Sequence, residues 1–250
     1  MQAQALAILD WYVAMGVDET LGEDPHDWKK PELATHIAVT PSIIGAPAIL
    51  SASATLDEVS KLAAAASTLA DLEATIKAYK GLAICRTATN PVFAEGVANA
   101  PLMVIGEAPG AEEDRRGVPF CGSSGQLLDK ILAAIGLSRS ENAYITNSLF
   151  WRPPGNRTPS VEEIITCRPF LEKHIELQNP MVILLMGSVA IRALLNNEIA
   201  ISKLRGNPLS YKDIPVIVTY HPSYLLRQPS QKKLAWEDML ALKEHTKLLT

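Results

Sequence analysis

Cysteine is scarce and scattered in this sequence. Its three copies, Cys85, Cys121 and Cys167, form no CxxC pair, so the chain offers neither a disulfide framework nor a zinc-ligand spacing. No apolar run approaches the ~18 residues that a membrane span needs. The first residues lack a basic stretch, and Asp10 interrupts the apolar segment there, a pattern that predicts no signal peptide. Neither a GxGxxG turn nor a GxxxxGK(S/T) loop occurs, which argues against a dinucleotide or P-loop nucleotide site. No internal repeat is visible. These absences predict a cytoplasmic protein with no membrane association.

What is present suits a sizeable folded core: 250 residues, 48% hydrophobic and 20% charged. Charge is divided unevenly along the chain. Residues 1–79 carry 11 acids and 4 bases, net −7, and residues 80–250 carry 16 acids and 19 bases, net +3. An acidic N-terminal region joined to a mildly basic body permits phosphate contacts in the body without requiring them.

Taken in order, residues 3–16 have helical spacing through Leu6, Leu9, Tyr12 and Val13. Residues 18–57, with four prolines and a Gly/Ala/Ser-rich middle, have a linker's composition. Ser67 or Thr68 can cap a helix that runs to Tyr79, with Gly81 as its C′ residue. The predicted organisation is an acidic, partly helical extension and linker over 1–60, followed by an α/β domain over 61–250.

From about residue 101 apolar strand patterns alternate with helical ones. Strands are predicted at 102–106, 143–147, 181–187 and 215–220, with helices at 124–135, 160–177, 188–196 and 231–248. This alternation predicts a three-layer α/β/α sandwich around a central four-stranded parallel sheet, with the helical N-terminal extension appended. The carboxyl ends of such strands share one edge, where ligands bind. Those ends carry Gly106-Glu107, Asn147, Gly187-Ser188 and His221.

The side chains offer a legible chemistry. Glu107 can orient or deprotonate a water, and His221 can donate to an oxygen gaining negative charge. Asn147 can read a donor–acceptor edge such as that of a nucleobase, and Phe120 can stack on a flat ring. Each also has a plain structural alternative: Glu107 a helix cap, Asn147 a turn former, His221 a hydrogen-bonded loop histidine, Phe120 a core aromatic.

Five stretches occur together: Gly106-Glu107-Ala108-Pro109-Gly110, Pro119-Phe120, Ile145-Thr146-Asn147, Arg152-Pro153-Pro154-Gly155-Asn156-Arg157 and His221-Pro222-Ser223-Tyr224-Leu225-Leu226. In this order they resemble the family 4 branch of the uracil-DNA glycosylase superfamily, from about Thr87 to the C-terminus. The resemblance implies a monofunctional enzyme that hydrolyses the N-glycosidic bond of uracil in DNA, single- or double-stranded, acting as a monomer in the nucleoid. It implies that Glu107 positions the attacking water and that His221 hydrogen-bonds O2 of the departing base. Asn147 would read O4 and N3, Phe120 would stack on the ring, and Gly106 and Ala108 would line the pocket. Glu113 would lie against C5, where thymine carries its methyl group. Residues Pro222, Ser223, Leu225, Leu226 and Arg227 would form the loop that enters the duplex, with Leu225 or Leu226 as the wedge. Arg227, Arg157 and Lys232 would contact phosphate.

The sequence departs from the family at its iron–sulfur ligands. Tyr79, Leu82 and Trp151 occupy three of the four cysteine places, Cys167 alone matches, and Cys85 is three residues off register. A cubane needs four cysteine ligands, so no cluster and no metal is predicted, with apolar packing in its stead. Phe150–Pro159 has no inserted histidine, which predicts turnover and not covalent capture. The rival reading is a catalytically weak damaged-base-binding DNA module, which would keep Asn147 and Phe120 and have less use for Glu107 and His221.

Overall fold

The structure is a computed structural model that describes residues 47–247, all within the unit Gly45–Thr250. The helix expected over 3–16 lies outside the described residues, as do residues 18–46 of the expected linker. The rest of that linker is corrected. Residues 47–57 belong to the helix α1, Pro47–Ala65, which also crosses the expected boundary at 60/61. Proline at the first helical position is preorganised for a helix, and the alanines behind it are its strongest formers.

Helix α2, Leu69–Ala78, starts on a reciprocal capping box. Thr68 Oγ1 accepts from Asp71 N–H, and the Asp71 carboxylate accepts from Thr68 N–H. It ends at Tyr79 in extended conformation, so Gly81 is not its C′ residue. Gly81 makes room instead, because a Cβ there would collide with the Tyr79 phenol. The short helix α3 (Ala83–Thr87) follows. Then come β1 (Ala94–Gly96), β2 (Leu102–Gly106), α4 (Ala111–Arg116), α5 (Ser123–Ala133) and β3 (Ala143–Asn147). The remainder is α6 (Val161–Gln178), β4 (Val182–Met186), α7 (Ser188–Leu195), α8 (Ile201–Leu204), β5 (Leu209–Tyr211), β6 (Ile214–Thr219), α9 (Pro222–Arg227) and α10 (Lys232–Lys247).

The sheet runs β1-β3-β2-β4-β6-β5. Its four central strands are parallel, as the alternation of strands and helices predicts. Each outer edge adds a three-residue antiparallel strand, β1 on β3 and β5 on β6, that the sequence reading did not pick out. Every residue of β2, β3 and β4 is buried, so both faces are covered. Met103 and Ile105 point into one core with residues of α1, α2, α6 and α7, including Leu72, Phe170 and Ala190. Leu102 and Val104 point the other way, onto Leu128 and Leu132 of α5 and Met239 of α10. Among the described residues no helix is long and apolar enough to cross a membrane.

β2 pairs with β3 on one side and β4 on the other. The chain therefore leaves β2 in one direction and later returns to its opposite flank. Such a reversal opens a crevice outside the carboxyl ends of the strands, and Glu107 follows directly on the end of β2.

Candidate active site at the strand ends

Strand register brings the first two groups together. Gly106 pairs with Asn147 at the ends of β2 and β3, and Ser148 fastens the junction by donating both its N–H and its hydroxyl to the Gly106 carbonyl, at 3.0 and 2.8 Å. Only glycine fits at 106, since a Cβ would lie 2.5 Å from both Asn147 Oδ1 and Phe120 Cζ. The third strand end contributes space. Gly187, at φ +95°, has the His221 Cβ 3.3 Å from where its own would be, so the loop after β6 can close over the crevice.

The resulting cleft has a volume of about 450 Å³, and Glu107, Glu113, Phe120, Asn147, His221 and Arg227 line it. The structure thus gathers the catalytic and base-reading candidates, together with Ala108, Arg157 and Ser223. Phe120 is 5% exposed and its ring stands 5.5 Å from the His221 ring at 31°. Its φ of +50° is left-handed, uncommon for an aromatic residue and costing of order 1–3 kcal/mol. Glu113 lines the cleft and also braces the Phe120 loop, accepting from the Cys121 and Gly122 N–H groups, both at 3.0 Å.

Electrostatics divide the two catalytic candidates. Burial raises the Glu107 carboxyl above the ordinary carboxylate value of 4.5, while the nearby Arg227 charge opposes the rise. Burial lowers His221 to about 4, aided by Arg227 and opposed by Glu113. At neutral pH the imidazole is therefore uncharged. Its Nδ1 accepts from Ser223 N–H at 3.2 Å and lies 2.8 Å from Ser223 Oγ. An N–H can only donate, so Nδ1 is the acceptor and the ring proton sits on Nε2. The site therefore offers a neutral Nε2–H donor beside a half-buried carboxylate.

The segment after His221 corrects part of the expected duplex-entering surface. Pro222 and Leu225 are buried in α9, Leu225 at 1% exposure against Tyr220 and Ala235. Successive residues of a helix point about 100° apart, which leaves Leu226 at 43% exposure, with Arg227 exposed beside it. Leu225→Ala is expected to cost about 2–5 kcal/mol in denaturant unfolding, and Leu226→Ala under about 0.5 kcal/mol. Arg157 reaches the cleft, but its guanidinium forks onto Glu163 at 2.6 and 2.9 Å, so its charge is already partnered. Glu163 itself closes the Ser160 capping box of α6. The local Ser160-Val161-Glu162-Glu163 pattern was a readable sign that this acid had a structural task.

The residues at the expected iron–sulfur position do not fit a cubane. Tyr79, Leu82, Cys85, Trp151 and Cys167 are buried in one core, with the Tyr79 ring 5.8 Å from Trp151 and 5.6 Å from Phe170. Only Cys85 and Cys167 among them are cysteines, where a cubane needs four cysteine ligands. Among the described residues no group of three or more His, Cys, Asp or Glu can hold a metal ion.

Similarity to known proteins follows the same lines. The family model described as Uracil DNA glycosylase superfamily matches residues 93–240. A type-4 uracil-DNA glycosylase of Thermotoga maritima is 41% identical over 163 residues, covering 64% of this chain and 84% of that protein. Its counterpart in Sulfurisphaera tokodaii is 38% identical over 165 residues, 62% of this chain and 74% of its own. A type-5 uracil-DNA glycosylase of Pyrobaculum aerophilum is 32% identical over 151 residues, 54% and 66% respectively. The match spans β2 to β6 and every strand end that meets at the cleft, and on that ground the chain belongs to the uracil DNA glycosylase superfamily, beside its type-4 members.

Proposed function

We propose that this protein is a monofunctional uracil-DNA glycosylase that hydrolyses the N-glycosidic bond of uracil in DNA and leaves an abasic site for base excision repair. The observation that carries this reading is the convergence of Glu107, Asn147, Phe120 and His221 on one cleft, in a chain 41% identical to a type-4 enzyme. Extruding a base from a duplex costs roughly a few kcal/mol. Leu226 on the exposed side of α9 fills the vacated space, and Arg227 supplies the phosphate contact. Arg157 is the weaker phosphate candidate, because Glu163 holds it.

The extruded uracil stacks on Phe120, and the Asn147 carboxamide donates to O4 and accepts from N3–H. Glu113, fixed near the base by two backbone N–H groups, blocks a methyl group at C5. As the C1′–N1 bond breaks, its electron pair leaves with the base and spreads onto O2, where His221 Nε2–H stabilises it. Glu107 holds a water on the sugar side, takes its proton as the oxygen bonds C1′, and completes the hydrolysis. The protein works on DNA as a monomer in the nucleoid, without a cluster. The direct test is alkali-sensitive cleavage of a labelled oligonucleotide with one uracil. No product under excess protein would refute the enzyme reading, and binding retained in that experiment would indicate a damage-binding module.

Two further outcomes follow. Glu107 must be ionised to hold the proton, so single-turnover rates should fall as pH drops through a midpoint above 4.5. The stability effect has the opposite sense. A carboxyl raised in the folded state contributes its full stability below the unfolded value and loses it as pH rises through the folded one. Glu107→Gln is therefore expected to abolish the acid limb and slow the reaction while raising Tm at neutral pH. Protein expressed without added iron should be colourless and fully active after chelation. Stoichiometric iron with the broad visible absorbance of a cubane would overturn the cluster-free reading.

A further inference from the structure

The aromatic wall of the cleft is held in place from outside the cleft. Phe120 sits in the left-handed region at φ +50°, so its position must be imposed by its surroundings. On the carbonyl side, Arg139 Nη2 donates to the Phe120 carbonyl at 3.1 Å and Nη1 to the Pro119 carbonyl at 3.3 Å. The same guanidinium is fixed by Asp129, with Nε to Oδ1 at 2.9 Å and Nη2 at 2.7 Å, and by an ion pair to Glu95 on β1. Its side chain is 19% exposed. On the amide side Glu113 takes the Cys121 and Gly122 N–H groups. Gly125 in α5 completes the seat, since a Cβ there would collide with the Phe120 carbonyl.

The geometry points to Arg139 as a positioning residue for base stacking: its guanidinium grips the Pro119 and Phe120 carbonyls and so fixes the Phe120 ring against Gly106, Asn147 and His221. A guanidinium is suited to this task because its planar fork can serve two carbonyls and two carboxylates at once. Arg139 lies in the loop between α5 and β3, outside the cleft lining. Its effect on the reaction passes through the ring and through no contact of its own with substrate. Lysine, with one compact ammonium, cannot reproduce the fork. The inference rests on the reading that Phe120 stacks on uracil.

Arg139→Gln and Arg139→Lys are the test variants, with Phe120→Ala and the Arg139→Gln/Phe120→Ala double variant beside them. Four quantities are measured: single-turnover excision rate, DNA dissociation constant, inhibition by free uracil, and Tm. Both Arg139 variants are expected to lose rate by on the order of tenfold to a hundredfold and to bind free uracil more weakly, with DNA affinity unchanged. In the Phe120→Ala background the Arg139→Gln loss should disappear, because the ring it acts through is gone. A loss of the same size in both backgrounds, or one that only tracks the unfolded fraction at the assay temperature, would reduce Arg139 to a structural ion pair. Wild-type rates and uracil inhibition in both Arg139 variants would overturn the inference outright. If Phe120→Ala itself excises uracil at the wild-type rate, the stacking reading fails whatever Arg139 does.

Discussion

His221→Ala is expected to slow single-turnover excision of uracil by on the order of 10²–10³-fold, the usual consequence of losing one preorganised donor to a developing anion, with DNA affinity retained. The reason lies in the charge state of the ring. Burial and Arg227 lower its pKa to about 4, and Ser223 N–H occupies Nδ1. The imidazole therefore meets the substrate as a neutral Nε2–H donor over the working pH range. Removing it takes a donor away without altering the net charge that DNA sees. The wild-type rate profile should accordingly show no limb near the ordinary histidine value of 6.5. The alanine variant also loses the N-cap acceptor of α9, worth about 1 kcal/mol. His221→Asn separates the two effects. Its shorter carboxamide restores a cap acceptor, so Tm should recover while the rate stays low. A rate that recovers together with Tm would show that the imidazole's role is structural.

Asn147→Asp is expected to lose at least about 10³-fold in uracil excision, in the range seen when a buried polar recognition group is mismatched. Asn147 is 2% exposed at the end of β3. A carboxylate there is acceptor-only and would face the lone pairs of O4 in a setting with little solvent to screen them. The residual activity should have its own signature. Protonation gives the aspartate one donor beside its acceptor, so the ratio of variant to wild-type rate should rise toward acid pH. A constant ratio across pH, or a loss under tenfold, would remove Asn147 from base reading.

Much of this site was open to view in the sequence because its groups follow strands that announce themselves. The predicted runs 102–106 and 181–187 are short and nearly all apolar, as covered parallel strands must be, with Glu107 directly after the first, and the run 143–147 ends on Asn147 itself. The rest was hidden for physical reasons. β1 and β5 are three residues each, too short for any alternation to register. Residues 47–57 have the composition of a linker, yet alanine and an initial proline serve a helix equally well. Leu225 and Leu226 are adjacent and chemically alike, and only the facing of a six-residue helix separates core from surface. Arg139, Asp129 and Glu95 meet across 44 residues of chain with no local spacing to reveal them. The capping box of α6, by contrast, was legible in Ser160 and Glu163, although the hold of that acid on Arg157 was not.

His221 Nδ1 caps α9, and the exposed Leu226 stands five positions further along the same six-residue helix. The imidazole and the leucine therefore share one short hydrogen-bonded element, and a displacement of α9 would carry both. On the proposed function, contact of Leu226 with DNA would then be coupled to the placing of the His221 donor, and His221→Ala, which removes the cap, would loosen the two from each other.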